Sequence, residues 1–83
     1  VSNSIIADGC VIEGTVENCV IGRGTIIKKG AYVKNCVILP DAVIGENVHM
    51  ENIVMDRYAK VTRVKSVVAP AENPGYIKRK DVM

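Results

Sequence analysis

Aliphatic residues recur along most of the chain at intervals of five or six positions. From Ile21 onward the spacing runs 6, 6, 5 and then repeats, so three segments make one period, which leads from Ile21 to Ile38 and from Ile38 to Met55. An amphipathic helix needs apolar residues at i, i+3, i+4 and i+7, so this spacing favours short strands instead. The recurring aliphatic positions, taken here as inward-pointing, are Ile6, Ile12, Val16, Ile21, Ile27, Val33, Ile38, Ile44, Met50, Met55 and Val61.

Small and turn-forming residues precede these positions in a fixed order. Two residues before most of them the side chain is small, with Val48 and Ile53 as larger exceptions: Ser4, Cys10, Cys19, Thr25, Ala31, Cys36, Ala42 and Ala59. One residue earlier stands Gly, Asn or Asp, broken only by Tyr58: Asn3, Gly9, Asn18, Gly24, Gly30, Asn35, Asp41, Asn47 and Asn52. These residue types accept a positive φ at least cost, which predicts a corner of the chain at each of them.

A longer repeat supports the same interpretation. An Asn followed by a small residue and two aliphatics begins at Asn3, Asn18 and Asn35, and a close variant begins at Asn52. Internal repeats of this kind indicate a solenoid. We therefore predict an all-β fold, a parallel β-helix of about four coils over residues 1–68. A linker turn and a non-repetitive tail over residues 69–83 are expected to follow.

The amino-acid sequence of the repeats is similar to sequences of one protein family. The hexapeptide rule resembles that of left-handed β-helix proteins, and this resemblance implies a handedness that the spacing does not provide. The stretches Gly9–Gly24 and Lys34–Asn47 resemble the C-terminal domain of ADP-glucose pyrophosphorylases (glucose-1-phosphate adenylyltransferases). Within that family they are similar to the GlgD-type glycogen biosynthesis proteins. Tyr76–Met83 resembles the C-terminal end of the same family.

This resemblance implies a function for a longer parent protein. The family makes ADP-glucose from ATP and glucose 1-phosphate in the cytoplasm, on an N-terminal nucleotidyltransferase domain that uses Mg²⁺. That domain has no counterpart here, and the chain, which begins at Val1, is interpreted as a fragment. Its expected role is to contact its own N-terminal catalytic domain, to assemble a homo- or hetero-oligomer with an ADP-glucose pyrophosphorylase subunit, and to transmit effector binding. A GlgD-type parent would modulate a catalytic partner.

Effectors in this family are small phosphorylated metabolites, which makes the cations of the tail a candidate contact. Lys78, Arg79 and Lys80 are adjacent and are predicted to hold an effector phosphate, although a solvated chain end would have the same composition.

A second candidate surface follows from the strand pattern. Ile5, Val20, Val37 and Val54 each come directly before an inward aliphatic, so they must point outward. A solvated strand alternates apolar and polar residues, whereas this one is apolar on both sides. We predict an interface there, with the strand propensity of β-branched residues as the alternative explanation.

The remaining reactive residues have simpler explanations. Cys10, Cys19 and Cys36 occupy small inward positions and are expected to pack as reduced thiols in a cytoplasmic protein. His49 is the sole histidine. A hexapeptide-repeat acyltransferase using acyl-CoA is the alternative function, but it would need a catalytic histidine under a long loop, and no insertion interrupts residues 17–61. The sequence therefore predicts no catalytic, cofactor-binding or metal-binding residue in this chain.

Composition narrows the choice of partners further. The chain has 11 Lys+Arg against 9 Asp+Glu, a net charge of +2, and neither Phe nor Trp. Nucleic-acid binders are strongly basic and stack bases on aromatic rings, so no nucleic-acid partner is expected. No apolar run approaches the roughly 18–20 residues of a membrane span, so no membrane partner is expected either.

Overall fold

The computed structural model describes residues 3–83, which form thirteen short strands and no helix. Each strand is two or three residues long, because a corner interrupts the chain every few positions. The predicted solenoid begins at residue 1, and residues 1 and 2 lie outside the described residues. In chain order the strands are β1 (Ile5–Ile6), β2 (Val11–Ile12), β3 (Thr15–Glu17), β4 (Val20–Ile21), β5 (Ile26–Ile27), β6 (Tyr32–Lys34), β7 (Val37–Ile38), β8 (Val43–Ile44), β9 (His49–Glu51), β10 (Ile53–Met55), β11 (Lys60–Val61), β12 (Ser66–Val68) and β13 (Gly75–Ile77).

Every third strand belongs to the same parallel sheet. The first face is β1-β4-β7-β10-β13, the second is β2-β5-β8-β11, and the third is β3-β6-β9-β12. On the first face Ile38 pairs with Ile21 on one side and with Met55 on the other. Since each partner lies one period away along the chain, the predicted coil length is confirmed, and with it the hexapeptide-repeat β-solenoid of about four turns.

The corners lie where the sequence predicted them. All nine Gly, Asn and Asp corner residues have a positive φ, between 48° at Asn3 and 79° at Gly30. Tyr58, the exception in composition, has the same conformation with a φ of 59°. The backbone therefore keeps its turn at this position even where the residue type does not favour it.

The inward aliphatics fill a continuous core along the solenoid axis. From Val16 to Val61 the predicted inward residues are all buried, whereas Ile6 and Ile12 in the first coil are only partly buried. Thr25 is the buried polar residue of this core, and its hydroxyl donates to the carbonyl of Leu39 at 3.5 Å. Each coil is thus sealed by its two neighbours, and the first described coil is less protected.

The tail contributes more to the solenoid than its sequence predicted. After a turn at residues 71–73, β13 pairs with β10, placing Tyr76 beside Val54 and Ile77 beside Met55. Ile77 is buried, and Val82 forms a further parallel bridge with Lys60. Met55 and Ile77 are separated along the chain by more than one period, because the connection before β13 is longer than the others. The spacing of the sequence therefore does not reveal that β13 continues the repeat. The tail is non-repetitive in sequence, yet its backbone begins another coil.

Candidate interface and effector site

An apolar ladder of five residues runs up the outside of the first face. It comprises Ile5, Val20, Val37, Val54 and Tyr76, which are paired in this order on β1, β4, β7, β10 and β13. Their exposed fractions are 70% for Ile5, 46% for Val20, 40% for Val37 and 59% for Tyr76, while Val54 is half-buried. Sequence reasoning identified the first four members. It missed Tyr76 because the longer connection before β13 shifts the register.

The other two faces differ in their outward chemistry. The second face is also apolar for most of its length, with Val11 exposed and Ile26 and Val43 half-buried. The third face presents polar or amphipathic side chains instead, and in pairing order these are Thr15, Tyr32, His49 and Ser66. The first face therefore carries the longest run of exposed apolar side chains, although Val68 at the end of β12 on the third face is also 56% exposed. A continuous apolar run of this kind is typical of an interaction surface.

The three cations predicted to bind a phosphate lie at the corner that follows β13. Lys78, Arg79 and Lys80 are all exposed there. The backbone amide of Lys80 donates to the carbonyl of Arg57 at 3.0 Å, which brings a fourth cationic residue to the same corner. Sequence reasoning missed Arg57 because its distance from Lys80 along the chain does not follow the period of the coils.

A carboxylate accompanies these cations. Asp56 accepts hydrogen bonds from the hydroxyl of Tyr76 and, at 2.7 Å, from the backbone amide of Arg57. The Tyr76 hydrogen bond lowers the pKa of Asp56 most, and the Arg57 amide and the charges of Arg79 and Arg57 lower it further. The same hydrogen bond raises the pKa of Tyr76. Asp56 therefore fixes Tyr76, a member of the apolar ladder, beside the cationic corner.

His49 is held on the third face by its neighbours. Its Nε2 lies 2.7 Å from Oε2 of Glu51, and its ring meets the Tyr32 ring edge-on at a centroid distance of 5.1 Å. The Tyr32 hydroxyl in turn donates to Glu17, which raises the pKa of Tyr32. Strands and corners alternate from 17 to 61, and in the described part of the chain no loop extends from this stretch over His49. His49 itself is exposed on this face.

The three cysteines are free thiols that pack as predicted. Cys19 and Cys36 are buried, and Cys10 is half-buried. Each thiol donates to a backbone carbonyl: Cys10 to Gly22 at 3.1 Å, Cys19 to Glu17 at 3.0 Å and Cys36 to Lys34 at 3.2 Å. The pKa of the Cys36 thiol is raised well above its usual range, mainly by the hydrogen bond between Cys36 and Cys19 and also by burial.

Residues 3–83 lack two further classes of feature. This part of the chain contains no group of three or more His, Cys, Asp or Glu side chains arranged to hold a metal ion. It also contains no helix long and apolar enough to cross a membrane.

The family of the chain follows from comparison with known proteins. Residues 1–73 match the family described as GlmU-like, C-terminal hexapeptide. The chain therefore belongs to this family of hexapeptide-repeat domains, in agreement with its coils and corners. No solved structure gave a significant match.

Individual relatives point to a narrower group. The chain is 37% identical over 74 residues to the glycogen biosynthesis protein GlgD of Bacillus subtilis, covering 89% of this chain and 22% of the relative. It is 36% identical over 61 residues to glucose-1-phosphate adenylyltransferase of Acetivibrio thermocellus, covering 74% of this chain and 14% of the relative. The corresponding protein of Bacillus cereus (strain Q1) is 34% identical over 73 residues, covering 88% and 19%. The resemblance predicted from the repeats is confirmed, and the chain spans less than a quarter of the length of each of these relatives.

Proposed function

We propose that this chain is the C-terminal assembly and regulatory domain of a glucose-1-phosphate adenylyltransferase-type subunit in glycogen biosynthesis, of the GlgD type. The observation that carries the proposal is the similarity to GlgD of Bacillus subtilis along 89% of the chain. The exposed apolar ladder adds a physical reason to assign it an assembly role, because such a surface is typical of a contact site.

The chemistry of the parent is proposed to lie outside this chain. Formation of ADP-glucose and pyrophosphate from ATP and glucose 1-phosphate, with Mg²⁺, belongs in this proposal to an N-terminal nucleotidyltransferase domain. The relatives are long enough to contain one, since the matched region is at most 22% of their length in the cases above. We place the parent in the cytoplasm because a protein with three free thiols is typical of a reducing compartment.

The apolar ladder is proposed to contact a second subunit. Its five members extend for roughly 19 Å at about 4.8 Å per coil. Water contact with such a stripe is unfavourable by about 25 cal/mol per Å² of apolar surface, so association releases free energy. A stripe of this kind can meet itself across a twofold axis, which allows both a homo-oligomer and a hetero-oligomer with a similar subunit.

The cationic corner is proposed to receive the phosphate of an effector. Lys78, Arg79 and Lys80 are consecutive there, and the backbone amide of Lys80 donates to the carbonyl of Arg57. Hydrogen bonds from cationic donors to phosphate are among the strong ones in proteins. The corner adjoins the apolar ladder through the contact between Tyr76 and Asp56. A phosphate bound there would lie next to the proposed subunit contact, which gives a route for regulation.

Sedimentation of the 83-residue chain tests the assembly role. We expect the wild type to dimerise, and Val20→Lys combined with Val37→Lys to be monomeric with an unchanged circular dichroism spectrum. The matched control is Thr15→Lys combined with Ser66→Lys, which places the two lysines on the third face. This variant should still dimerise. A monomeric wild type at high concentration, or a ladder variant that associates equally well, would show that the ladder reflects strand propensity alone.

An activity assay tests the proposal that catalysis lies outside this chain. The pure chain should release no pyrophosphate from ATP and glucose 1-phosphate with Mg²⁺, whereas turnover would contradict the proposed location of catalysis. The same preparation should transfer no acetyl group from acetyl-CoA to amino-sugar acceptors. Transfer that disappears in His49→Ala would establish the acyltransferase alternative instead.

A further inference from the structure

Cys19 and Cys36 occupy equivalent positions in two neighbouring coils of the solenoid. They come directly before β4 and β7, whose residues Val20 and Val37 are paired in register. The backbone amide of Val20 donates to the carbonyl of Cys36 at 3.0 Å. Paired strands lie about 4.8 Å apart, and this spacing falls within the roughly 4.4–6.8 Å that separates the Cα atoms of a disulfide. The backbone therefore places the two cysteines at a separation that a disulfide can bridge.

The two thiols also contact each other in the core. The backbone amide of Cys36 donates to Sγ of Cys19 at 3.5 Å, and a further hydrogen bond joins the two side chains. Both residues are buried, with exposed fractions of 2% for Cys19 and 1% for Cys36. Cys10 comes before β2 on the second face, and its thiol donates to the carbonyl of Gly22. Cys10 is therefore an internal control for the pair.

Cys19 is the more reactive of the two thiols. The hydrogen bond from the Cys36 thiol lowers the pKa of Cys19 to about 7, although burial raises it. The same hydrogen bond raises the pKa of Cys36. The thiolate is the nucleophilic form of cysteine, so Cys19 should attack an oxidant first. Cys19 also lies next to the first described coil, whose Ile6 and Ile12 are only partly buried, and Cys36 lies one coil further along.

We propose that Cys19 and Cys36 form a redox-active pair, which hydrogen peroxide oxidises to a disulfide between two coils. The Cys19 thiolate attacks one peroxide oxygen, so that an S–O bond forms, the O–O bond breaks and hydroxide leaves. The sulfur of Cys36 then attacks the resulting sulfenic acid. The S–S bond forms, the S–O bond breaks, and the departing hydroxide takes up the thiol proton as water. In total the two thiols lose two electrons and two protons, and the peroxide is reduced to two molecules of water.

The expected disulfide is readily reversed. The side chains of a parallel pair leave backbones that are about 4.8 Å apart, whereas the Cβ atoms of a disulfide prefer about 3.8 Å. The bond must therefore draw the two coils together, and strained disulfides are easily reduced. A thiol such as glutathione should restore the reduced pair. This pair does not depend on the function proposed above.

Oxidation of the folded 83-residue chain by hydrogen peroxide tests the proposal. Free thiols counted afterwards in denaturant should fall from three to one, with a mass lower by two hydrogens, and glutathione should restore all three. Cleavage after Glu17 and Arg23 separates the cysteines, and the peptides of Cys19 and Cys36 should remain joined. Oxidation in urea should give a mixture of pairings, because the fold no longer selects the partner. No loss of thiols from the folded chain, a bond to Cys10 or a bond between chains would overturn the proposal.

Single variants test the order of the two steps. Cys36→Ala should leave Cys19 as a sulfenic acid that dimedone traps, whereas Cys19→Ala should leave Cys36 unlabelled. Cys10→Ser should form the disulfide as the wild type does. Alanine fills the equivalent small position elsewhere, at Ala31 and Ala42, so the variants should fold, which circular dichroism checks. Equal labelling of the two alanine variants would overturn the assignment of Cys19 as the attacking thiol, and the peptide mapping of the wild type needs no variant.

Discussion

Single residues at the corners carry the backbone strain of this solenoid. An L-residue in the left-handed region costs roughly 1–2 kcal/mol, while Gly, and to a lesser degree Asn and Asp, adopt it more readily. Tyr58 occupies that region in a column of corners where Gly24 and Asp41 occupy the two preceding coils. Its side chain is 48% exposed, so it gains little packing in return. Tyr58 is therefore a corner that a different residue would suit better.

We expect Tyr58→Asn to raise the free energy of unfolding by about 0.5–1 kcal/mol, because Asn tolerates the left-handed region. Urea unfolding followed by circular dichroism measures the change. Tyr58→Ala is the matched control, since it also removes the ring but keeps a Cβ without the local hydrogen bonding of Asn. Equal stability of the Asn and Ala variants would argue against backbone strain as the cause.

The contact between Asp56 and Tyr76 makes part of the stability depend on pH. The pKa of Asp56 is lower in the folded state than its ordinary value of about 3.9. Stabilisation from this carboxylate is therefore present above the ordinary pKa and is lost as pH falls through the lowered one. Tyr76→Phe removes the largest cause, so the titration midpoint of Asp56 should move up towards its ordinary value.

Carboxyl ¹³C shifts of Asp56 followed against pH measure this midpoint. Tyr32→Phe removes a comparable hydroxyl on the third face and should leave the Asp56 midpoint in place. An Asp56 midpoint that is the same in wild type and Tyr76→Phe would mean that the hydrogen bond does not form in solution.

At the scale of elements, β13 is a paired strand of the first face, although it belongs to the tail of the chain. Its Ile77 is buried against the core, and its Tyr76 continues the apolar ladder. Residues 78–83 then turn at Lys80, which has a φ of 62°, and reach Val82 beside Lys60. The tail therefore covers the otherwise unpaired edges of β10 and β11.

Ile77→Ala should lower the free energy of unfolding by about 2–5 kcal/mol, the usual range for truncating a buried Leu, Ile or Met to Ala. Val82→Ala, at an exposed position of the same tail, should change it by less than about 0.5 kcal/mol. Urea unfolding of the two variants decides the matter. If they are equally stable, the tail does not dock onto β10 as described.

At the scale of the whole molecule, contacts are almost one-dimensional. Each coil packs on its neighbours through the three sheets, so the two ends communicate through the coils between them. Ile38 is buried in the middle of this stack, and β7 around it pairs on both sides, with β4 and β10. A disruption at Ile38 therefore divides the solenoid.

We expect Ile38→Asp to uncouple the two halves, because an unpaired charge in the core breaks the stack at its centre. Amide hydrogen exchange should then show β1–β3 opening independently of β10–β13. Val37→Asp places the same charge on the outside of the same strand and should preserve a single cooperative transition. One cooperative transition with an unchanged midpoint in Ile38→Asp would show that Ile38 is not an interior residue.

The repeat was enough to assign the coil, its corners and its core. The register of Ile21, Ile38 and Met55 was readable because spatial neighbours in a solenoid are separated by one constant distance along the chain. Even Tyr58 lies where the period places a corner, since its place in the repeat outweighs its residue type. The outward direction of Val20 and Val37 followed for the same reason, as alternate residues of a strand point to opposite sides.

The folded chain was needed for every feature that breaks that constant distance. The connection before β13 lengthens one coil, and only the three-dimensional structure shows that Tyr76 extends the apolar ladder and that Arg57 meets Lys80. A repeating pattern predicts contacts between equivalent positions, whereas these features arise where neighbouring coils are not equivalent.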